Sequence, residues 1–304
     1  MKVLAGIRTY HWGEEEDRLL AALHPVFGDD LVAVVQNPAE DLECPVKMVP
    51  MPESWAVDQG LHVLANWGWR CGDYAYYAMR QAHPDYDFYW LIEPDVYFSS
   101  SPSPFFEAFQ GDHSDALGAY LKSYPSDHRF SLGMPDIPLY NAIFPLTRLS
   151  AAAIDLLLKA RIALRTDIGN RFYPNDEVFV FSSIMAAPGM SVTDIGDVAP
   201  FWIDESWFNT DPTFLIDALL DDGTAFERIY HPVRTKDAFK AALSQRLTSR
   251  LAFLKKMSGS LAHLEDDDID DVIAATGGTV RNYIRSVRRK GWQEIRKRRK
   301  TDTI

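Results

Sequence analysis

Two carboxylates flank a proline at the end of the apolar, aromatic run YDFYWLIEPDVYF (residues 86–98). Side chains at positions i and i+2 of an extended chain point to the same side, so Glu93 and Asp95 can face one cleft. Pro94 restricts the backbone between them. Two hard oxygen ligands on a stiff segment suit Mg²⁺ or Mn²⁺, especially a cation that also binds phosphates. The alternative is a pair of solvated acids at a strand end.

A second acidic pair, Asp176 and Glu177, follows Asn175 at the start of the apolar segment EVFVFSSIMAA. A carboxylate with a raised pKa can act as a general base on a hydroxyl group, and a carboxylate near a reacting carbon can stabilise developing positive charge. The structural alternative is helix capping, which Asn and Asp favour. Capping explains Asp176 better than Glu177, so Glu177 is the stronger catalytic candidate.

Other polar residues follow predicted strands. His231, in RIYHPVRTK (228–236), is a third candidate metal ligand with Arg234 nearby, although a histidine before proline often makes a structural hydrogen bond. Arg8 and Thr9 follow the first strand, where a guanidinium can pair with a diphosphate or stack on a base. Asp73 can accept a hydrogen bond from a ribose or sugar hydroxyl.

Five aromatic residues surround Asp73, and their helical spacing favours the core over a sugar-binding surface. We expect only one or two of them to contact a ligand. They are Trp67, Trp69, Tyr74, Tyr76 and Tyr77.

Alternating strands and helices must position these candidates. The apolar pattern predicts strands at 2–7, 31–35, 86–96, 115–121, 141–147, 190–194 and 228–230, with a proline-rich loop around Pro45, Pro50 and Pro52. Helices are predicted at 14–27, at about 59–82 with breaks near Gly68 and Gly72, after a Ser150 cap, from 177, and at 235–257. This order predicts an α/β fold with a mostly parallel, Rossmann-like sheet flanked by helices.

Composition excludes several classes of function. The chain has 304 residues, 47% of them hydrophobic, which is enough for a large core. A formal net charge of −12 disfavours nucleic acid as a partner and fits a site that recruits cations. Cys44 and Cys71 are too few for a disulfide framework, so a cytoplasmic location is expected. The N-terminal apolar run is too short for a secretory signal, and no apolar window is long enough to span a membrane.

The C-terminal part has a different character. Residues 265–271 are acidic, whereas residues 281–304 contain ten Lys or Arg against two acids. Val280, Tyr283, Ile284, Val287 and Ile295 lie near one helical face of this basic segment. One interpretation is peripheral contact of residues 281–300 with an anionic membrane at its cytoplasmic face. The alternative is a tail that folds back on the acidic segment, and both stay open.

Four stretches in order resemble glycosyltransferases of the GT-A class that use nucleotide sugars. RCGDYAYYAMRQAHPDYDFYWLIEPDVYF (70–98) is similar to fungal α-mannosyltransferases, in which E-P-D occupies the metal site. YNAIFPLTRLSAAAIDLL (140–157) resembles the acceptor-side strand, and YPNDEVFVFSSI (173–184) resembles a helix start with acids near the sugar. RIYHPVRTK (228–236) resembles the segment with a late histidine.

The resemblance implies a GT-A-like catalytic domain over residues 1–236 and a helical extension over 237–304. It implies a metal-dependent hexosyltransferase that moves a sugar from a nucleoside-diphosphate sugar to a glycan or lipid-linked acceptor. Glu93, Asp95 and His231 would then bind Mn²⁺ or Mg²⁺, and Arg8, Thr9, Asp73 and Arg234 would bind the donor. Both retaining and inverting outcomes are open, as are two rival functions: a non-catalytic binding protein and a metal-dependent hydrolase of nucleotide-linked substrates.

Overall fold

The computed structural model describes residues 1–164, 173–221, 227–247 and 257–275, together with 284, 287, 288 and 291. The strands are β1 (Val3–Thr9), β2 (Leu31–Gln36), β3 (Lys47–Met51), β4 (Phe88–Ile92), β5 (Tyr97–Phe98), β6 (Ala116–Ser123), β7 (Tyr140–Ser150), β8 (Val192–Asp194), β9 (Phe214–Leu215), β10 (Ile229–Tyr230) and β11 (Val233–Arg234).

The helices are α1 (Glu14–Phe27), α2 (Glu53–Asp58), α3 (Trp67–Arg70), α4 (Tyr74–Ala82), α5 (Ser103–Glu107), α6 (Ala151–Ala163), α7 (Asp176–Ala186), α8 (Ile195–Val198), α9 (Ile216–Asp221), α10 (Lys236–Leu247), α11 (Ser258–Leu261) and α12 (Asp266–Ala275). The chain divides into two compact units. The first contains Met1–Val96 and Ser101–Asp204, and the second contains Tyr97–Ser100 and Glu205–Ile304. The boundary predicted at residue 236 lies inside the second unit.

The first unit contains a seven-stranded sheet with the strand order β3-β2-β1-β4-β7-β6-β8. Only β7 runs antiparallel to its neighbours, so the sheet is mostly parallel. The α/β prediction is therefore confirmed. The carboxyl ends of β1, β2, β4 and β6 lie along one edge, which is where parallel sheets bind ligands.

Both faces of this sheet are buried, as expected for parallel strands with near-continuous apolar sequences. On β4, alternate residues serve opposite faces. Tyr89 and Leu91 belong to the core that also contains residues of α4, α6 and α7. Trp90, on the other face, lies 5.2 Å from the ring of Phe106 and 5.6 Å from that of Phe109. Helices α1 and α5 pack together on that side.

The helical segment predicted at about 59–82, with breaks near Gly68 and Gly72, is observed in part. The break at Gly72 separates α3 from α4, whereas Gly68 lies within α3. Residues 59–66 are not helical: α2 ends before Gly60, whose φ of 77° requires the left-handed region that glycine tolerates. The proline-rich loop contains a strand, β3, which is an edge strand. An edge position explains why Pro50 is tolerated there, since its missing N–H leaves no partner strand unpaired.

Helix starts follow the predicted capping residues. The Ser150 hydroxyl accepts a hydrogen bond from the backbone N–H of Ala153 at 3.0 Å and begins α6. Asn175 is the N-cap of α7, where its side-chain oxygen accepts from the N–H of Glu177 at 3.0 Å. Capping by Asn175 leaves the Asp176 and Glu177 carboxylates available for other contacts.

The second unit has its own core, which includes Phe239, Leu261 and Ile269. In this unit β5 pairs antiparallel with β10, and β9 pairs parallel with β11. The predicted strand at 228–230 is thus present as β10, within a separate two-stranded sheet. The predicted helix at 235–257 is observed as α10, and residues 248–256 lie outside the described residues.

Most of the basic segment also lies outside the described residues, but residues 284, 287, 288 and 291 are placed. Ile284 and Val287 are buried in the core of the second unit. Arg288 donates to Asp266 at 2.5 Å, in the acidic segment. These contacts are those expected if the tail folds back on the acidic segment. Within the described part of the chain, no helix is both long and apolar enough to cross a membrane.

Candidate functional site

The register of the central strands places Arg8 beside Glu93. In the parallel pair β1–β4, Ile7 lies opposite Ile92, so the next residue of each strand reaches the carboxyl edge together. The Arg8 guanidinium forms an ion pair with the Glu93 carboxylate, and its other terminal nitrogen donates to the backbone carbonyl of Gly68 at 3.1 Å. The Arg8 guanidinium therefore places a positive charge at the edge where the acidic motif ends.

The E-P-D motif forms a turn, so the expectation of an extended conformation was wrong. The Glu93 carbonyl accepts from the Val96 N–H at 3.0 Å, which closes a four-residue turn with Pro94 at its second position, a place proline favours. The turn still brings the acids together, since an oxygen of Glu93 and one of Asp95 lie within 4.8 Å. Asp95 is only 5% exposed, whereas the Glu93 side chain is 20% exposed.

The Glu93–Asp95 pair fits a divalent cation. Two oxygens bound to one octahedral Mg²⁺ at about 2.1 Å lie roughly 3 to 4 Å apart, so a small side-chain rotation brings both onto one ion. Carboxylate oxygens are the hard ligands that Mg²⁺ and Mn²⁺ prefer.

Asp176 lies at the same edge, because the first turn of α7 reaches the loop before α4. Its Oδ2 accepts from the backbone N–H of Gly72 at 2.7 Å. Burial raises the pKa of Asp176 to about 7, although the nearby charge of Arg8 acts in the opposite direction. A Cβ atom at residue 72 would collide with both Arg8 and Asp176, so only glycine allows this approach.

Glu177 is half-buried beside two other acids. Burial, together with the charges of Asp176 and Glu93, raises its pKa to about 8, and the charge of Lys122 acts in the opposite direction. Such a carboxylate holds a proton near neutral pH and can exchange it with a hydroxyl group. Glu177 therefore has the electrostatic character that its predicted role requires.

Two site residues have no motif in the sequence. Lys122 and Tyr124 lie at the end of β6 and just beyond it, and both interact electrostatically with Glu177. The Tyr124 hydroxyl is hydrogen-bonded to Nδ1 of His128 at 2.6 Å. The signal that could have found Lys122 and Tyr124 was the parallel direction of β6, which brings its carboxyl end to the ligand-binding edge of the sheet.

Asp73 has a structural role. It has no exposed surface, and its two oxygens accept from Nε and Nη2 of Arg161, each at 2.8 Å. Tyr77 donates a further hydrogen bond at 2.6 Å. Because this carboxylate is enclosed by its partners, we leave Asp73 out of the donor site.

Thr9 belongs to the network that begins α1. Its hydroxyl lies 2.6 Å from Oε1 of Glu16, whose other oxygen accepts from the N–H of Gly13 at 3.1 Å. The hydroxyl also lies 2.7 Å from the carbonyl of His11. These contacts account for the burial of Thr9 without a ligand.

His231 and Arg234 lie in the second unit. His231 is buried, and its Nδ1 is 2.5 Å from the backbone carbonyl oxygen of Asn209. A carbonyl can only accept, so Nδ1 carries the proton and Nε2 carries the lone pair in the neutral ring. This tautomer is the one that a histidine needs to bind a metal through Nε2. Arg234 is half-buried at the end of β11.

No protein-family model and no curated protein matches this sequence. Several solved structures are similar in fold. The galactosyltransferase LgtC, solved with donor and acceptor sugar analogs, is 11% identical, with a TM-score of 0.43 over 73% of this chain and 79% of that chain. Core-mannan synthase A from Aspergillus fumigatus, in its Mn/GDP form, is 12% identical, with a TM-score of 0.36 over 64% and 73%.

A third similar structure has a different kind of activity. The inositol-1-phosphate CTP transferase from T. maritima is 13% identical, with a TM-score of 0.32 over 64% of this chain and 86% of that chain. Similarity at this level leaves the function to be argued from the residues of the site.

Proposed function

We propose that this chain is a metal-dependent glycosyltransferase that moves a hexosyl group from a nucleoside-diphosphate sugar to a glycan or lipid-linked acceptor. The carrying observation is the convergence of Arg8, Glu93, Asp176 and Glu177 at the carboxyl edge of the sheet. The charges of Glu93, Asp95 and Asp176 all act on Arg8, Lys122 acts on Glu177, and two of these four acids have strongly raised pKa values. An excess of buried negative charge is lowered most directly by binding a cation.

In this proposal Glu93 and Asp95 hold Mn²⁺ or Mg²⁺. The cation, when bound, would offset negative charge on the departing nucleoside diphosphate. His231 is proposed as a third ligand through Nε2. The tautomer set by the Asn209 carbonyl supports this, because it places the lone pair on Nε2.

Arg8 has two roles in the proposal. Without a ligand it neutralises Glu93, and the charges of Glu93, Asp176 and Asp95 outweigh burial to raise its pKa, so it stays protonated. With a donor bound, the same guanidinium would donate to diphosphate oxygens, and Glu93 would be among the residues that hold the cation. Arg234, in the second unit, is proposed as a further cationic contact for the diphosphate.

Glu177 is proposed to act on the acceptor hydroxyl or on charge at the anomeric carbon, and Asp176 to position it. The hydrogen bond from Gly72 and the contact with Arg8 hold Asp176 in place, so the first turn of α7 has a defined orientation at the edge. A carboxylate that loses its proton near neutral pH suits both stereochemical outcomes.

A thermal-shift screen tests the donor site. Wild-type protein is heated with UDP, GDP or CDP, each with and without Mn²⁺, beside Asp95→Asn and the exposed-residue control Asp85→Asn. A ligand that binds only the folded state raises the melting temperature. We expect a metal-dependent shift for one nucleotide, kept in Asp85→Asn and lost in Asp95→Asn.

No shift in folded wild type with any nucleotide would overturn the proposal and favour a non-catalytic binding protein. If a nucleotide does bind, incubation with the matching nucleotide sugar distinguishes the enzymes. Sugar transferred to an added glycan supports the transferase, whereas free sugar released at the same rate with or without a glycan identifies a hydrolase.

A further inference from the structure

One of the five aromatic residues around Asp73 differs sharply from the others. Trp67, Tyr74, Tyr76 and Tyr77 are at most 3% exposed, whereas Trp69 is 57% exposed. The Trp69 ring lies on the short helix α3 and is exposed to water, whereas the neighbouring aromatic rings are buried. It therefore has no role in the core. From this and its neighbours we infer that Trp69, with Phe130 and Arg129, binds a pyranose ring of the acceptor glycan.

The inference rests on the proposed function, and the contacts of the three residues define the surface. The ring of Phe130 meets that of Trp69 edge-on, with centroids 5.6 Å apart and planes at 67°. The guanidinium carbon of the exposed Arg129 lies 4.8 Å above the Phe130 ring. Two aromatic rings thus adjoin a cluster of hydrogen-bond donors at the protein surface.

A pyranose matches this surface chemically. Its axial C–H groups form a weakly polar face that packs on an aromatic ring, and its hydroxyl groups project from the rim of the ring toward polar side chains. Sites of this kind combine a large apolar surface with a few positioned polar groups. The exposed Arg129 supplies guanidinium donors here.

Hydrogen bonds tie the surface to the candidate active site on both sides. The carbonyl of Gly68, the residue before Trp69, accepts from Arg8. The carbonyl of Phe130 accepts from the N–H of Asn175 at 3.0 Å, and Asn175 caps the helix turn that carries Glu177. Trp69 and Phe130 are therefore held beside the carboxylate that is proposed to act on the acceptor hydroxyl.

Saturation-transfer NMR with three methyl glycosides tests this inference without turnover. The probes are methyl α-mannopyranoside, methyl α-galactopyranoside and methyl β-glucopyranoside. They are titrated into wild type, Trp69→Ala, Trp69→Phe and Phe201→Ala, the last being a control at an aromatic residue that is 83% exposed. Melting curves establish that each variant is folded, and the metal-dependent nucleotide shift is measured on the same samples.

We expect at least one glycoside to bind wild type, with affinity lowered about fivefold or more in Trp69→Ala and largely restored in Trp69→Phe. Phe201→Ala should match wild type, and the nucleotide shift should be unchanged in all variants. Equal glycoside binding in wild type and Trp69→Ala, or none to wild type, would overturn the inference.

A loss of the nucleotide shift in Trp69→Ala would also overturn it, by assigning the ring to the donor base. The proposed function can fail independently of this inference. Glycoside binding that depends on Trp69, without any nucleotide shift in wild type, would support the sugar-binding surface and contradict the glycosyltransferase activity.

Discussion

Two groups of buried acids in the first unit stand in opposite electrostatic situations. Asp73 is matched by Arg161, with two oxygens facing two nitrogens and no exposed surface on either side chain. At the carboxyl edge, Asp176 shares the Arg8 guanidinium with Glu93, Glu177 interacts with Lys122, and burial raises the pKa of both Asp176 and Glu177. The Asp73–Arg161 pair is complete within the fold, whereas we propose that the open edge, formed by Glu93, Asp95, Asp176 and Glu177, takes up a ligand that brings positive charge.

The comparison predicts that removing an acid has opposite effects in the two places. Asp73→Asn leaves Arg161 buried without its counterion, and breaking such a pair costs about 3 to 5 kcal/mol. Urea unfolding at neutral pH measures the loss. Asp155→Asn is the matched control, since the Arg80–Asp155 pair is largely exposed and contributes less than about 1 kcal/mol. Similar losses in the two variants would contradict the distinction.

A divalent cation should act only on the open edge. At a concentration about 100 times its dissociation constant, Mn²⁺ should raise the free energy of unfolding by about 2.7 kcal/mol. Glu93→Gln should lose most of this gain, whereas Asp155→Asn should keep it. Calorimetric titration of both variants with Mn²⁺ provides the direct measurement, and equal affinities would remove Glu93 from the metal site.

Removing an acid from the open edge should stabilise the protein at high pH. The folded-state pKa of Glu177, about 8, exceeds its ordinary value of 4.5. The contribution of Glu177 to the free energy of unfolding is therefore fully present at low pH and is lost as the pH rises through 8. Glu177→Gln should therefore be more stable than wild type at about pH 8.5 by roughly 1 to 2 kcal/mol, and similar to it near pH 5. Urea unfolding at both pH values is the measurement; parallel pH profiles would refute the assignment.

The smallest expected effect concerns Thr9. Thr9→Val removes the hydroxyl that bridges His11 and Glu16, which should cost about 1 kcal/mol of stability. The affinity for Mn²⁺ and nucleotide should not change. Weaker nucleotide binding by Thr9→Val in calorimetry would restore Thr9 to the donor site and enlarge the open edge.

Local patterns predicted the parts of the fold that depend on neighbours in sequence. The apolar strands, the Ser150 cap and the acids at the start of α7 follow from residues within one or two turns. The strand β3 was missed because Pro50 contradicts strand propensity unless the strand is known to lie at an edge, and that depends on the whole sheet.

The site was predictable to the same extent. Short-range motifs singled out Glu93, Asp95 and Glu177 as candidates for chemistry, and their roles stay predictions. The role of Asp73 was not visible, because its partner Arg161 is 88 residues away. Likewise, helical spacing placed Trp69 with its buried neighbours, and only the short helix α3 and the packing around it separate the exposed ring from the rest.

The adjacency of Gly72 and Asp73 has a consequence for how the edge responds to ligands. Gly72 binds Asp176 through its N–H, and the next residue is clamped by Arg161 in the core. A single peptide unit thus connects the open edge to the buried Asp73–Arg161 pair. Asp176 cannot move away from Gly72 without breaking this hydrogen bond or shifting the backbone beside that pair. Under the proposed function, this restraint preorganises the Asp176 side of the edge, so that less reorganisation energy would be required when a cation and a diphosphate bind.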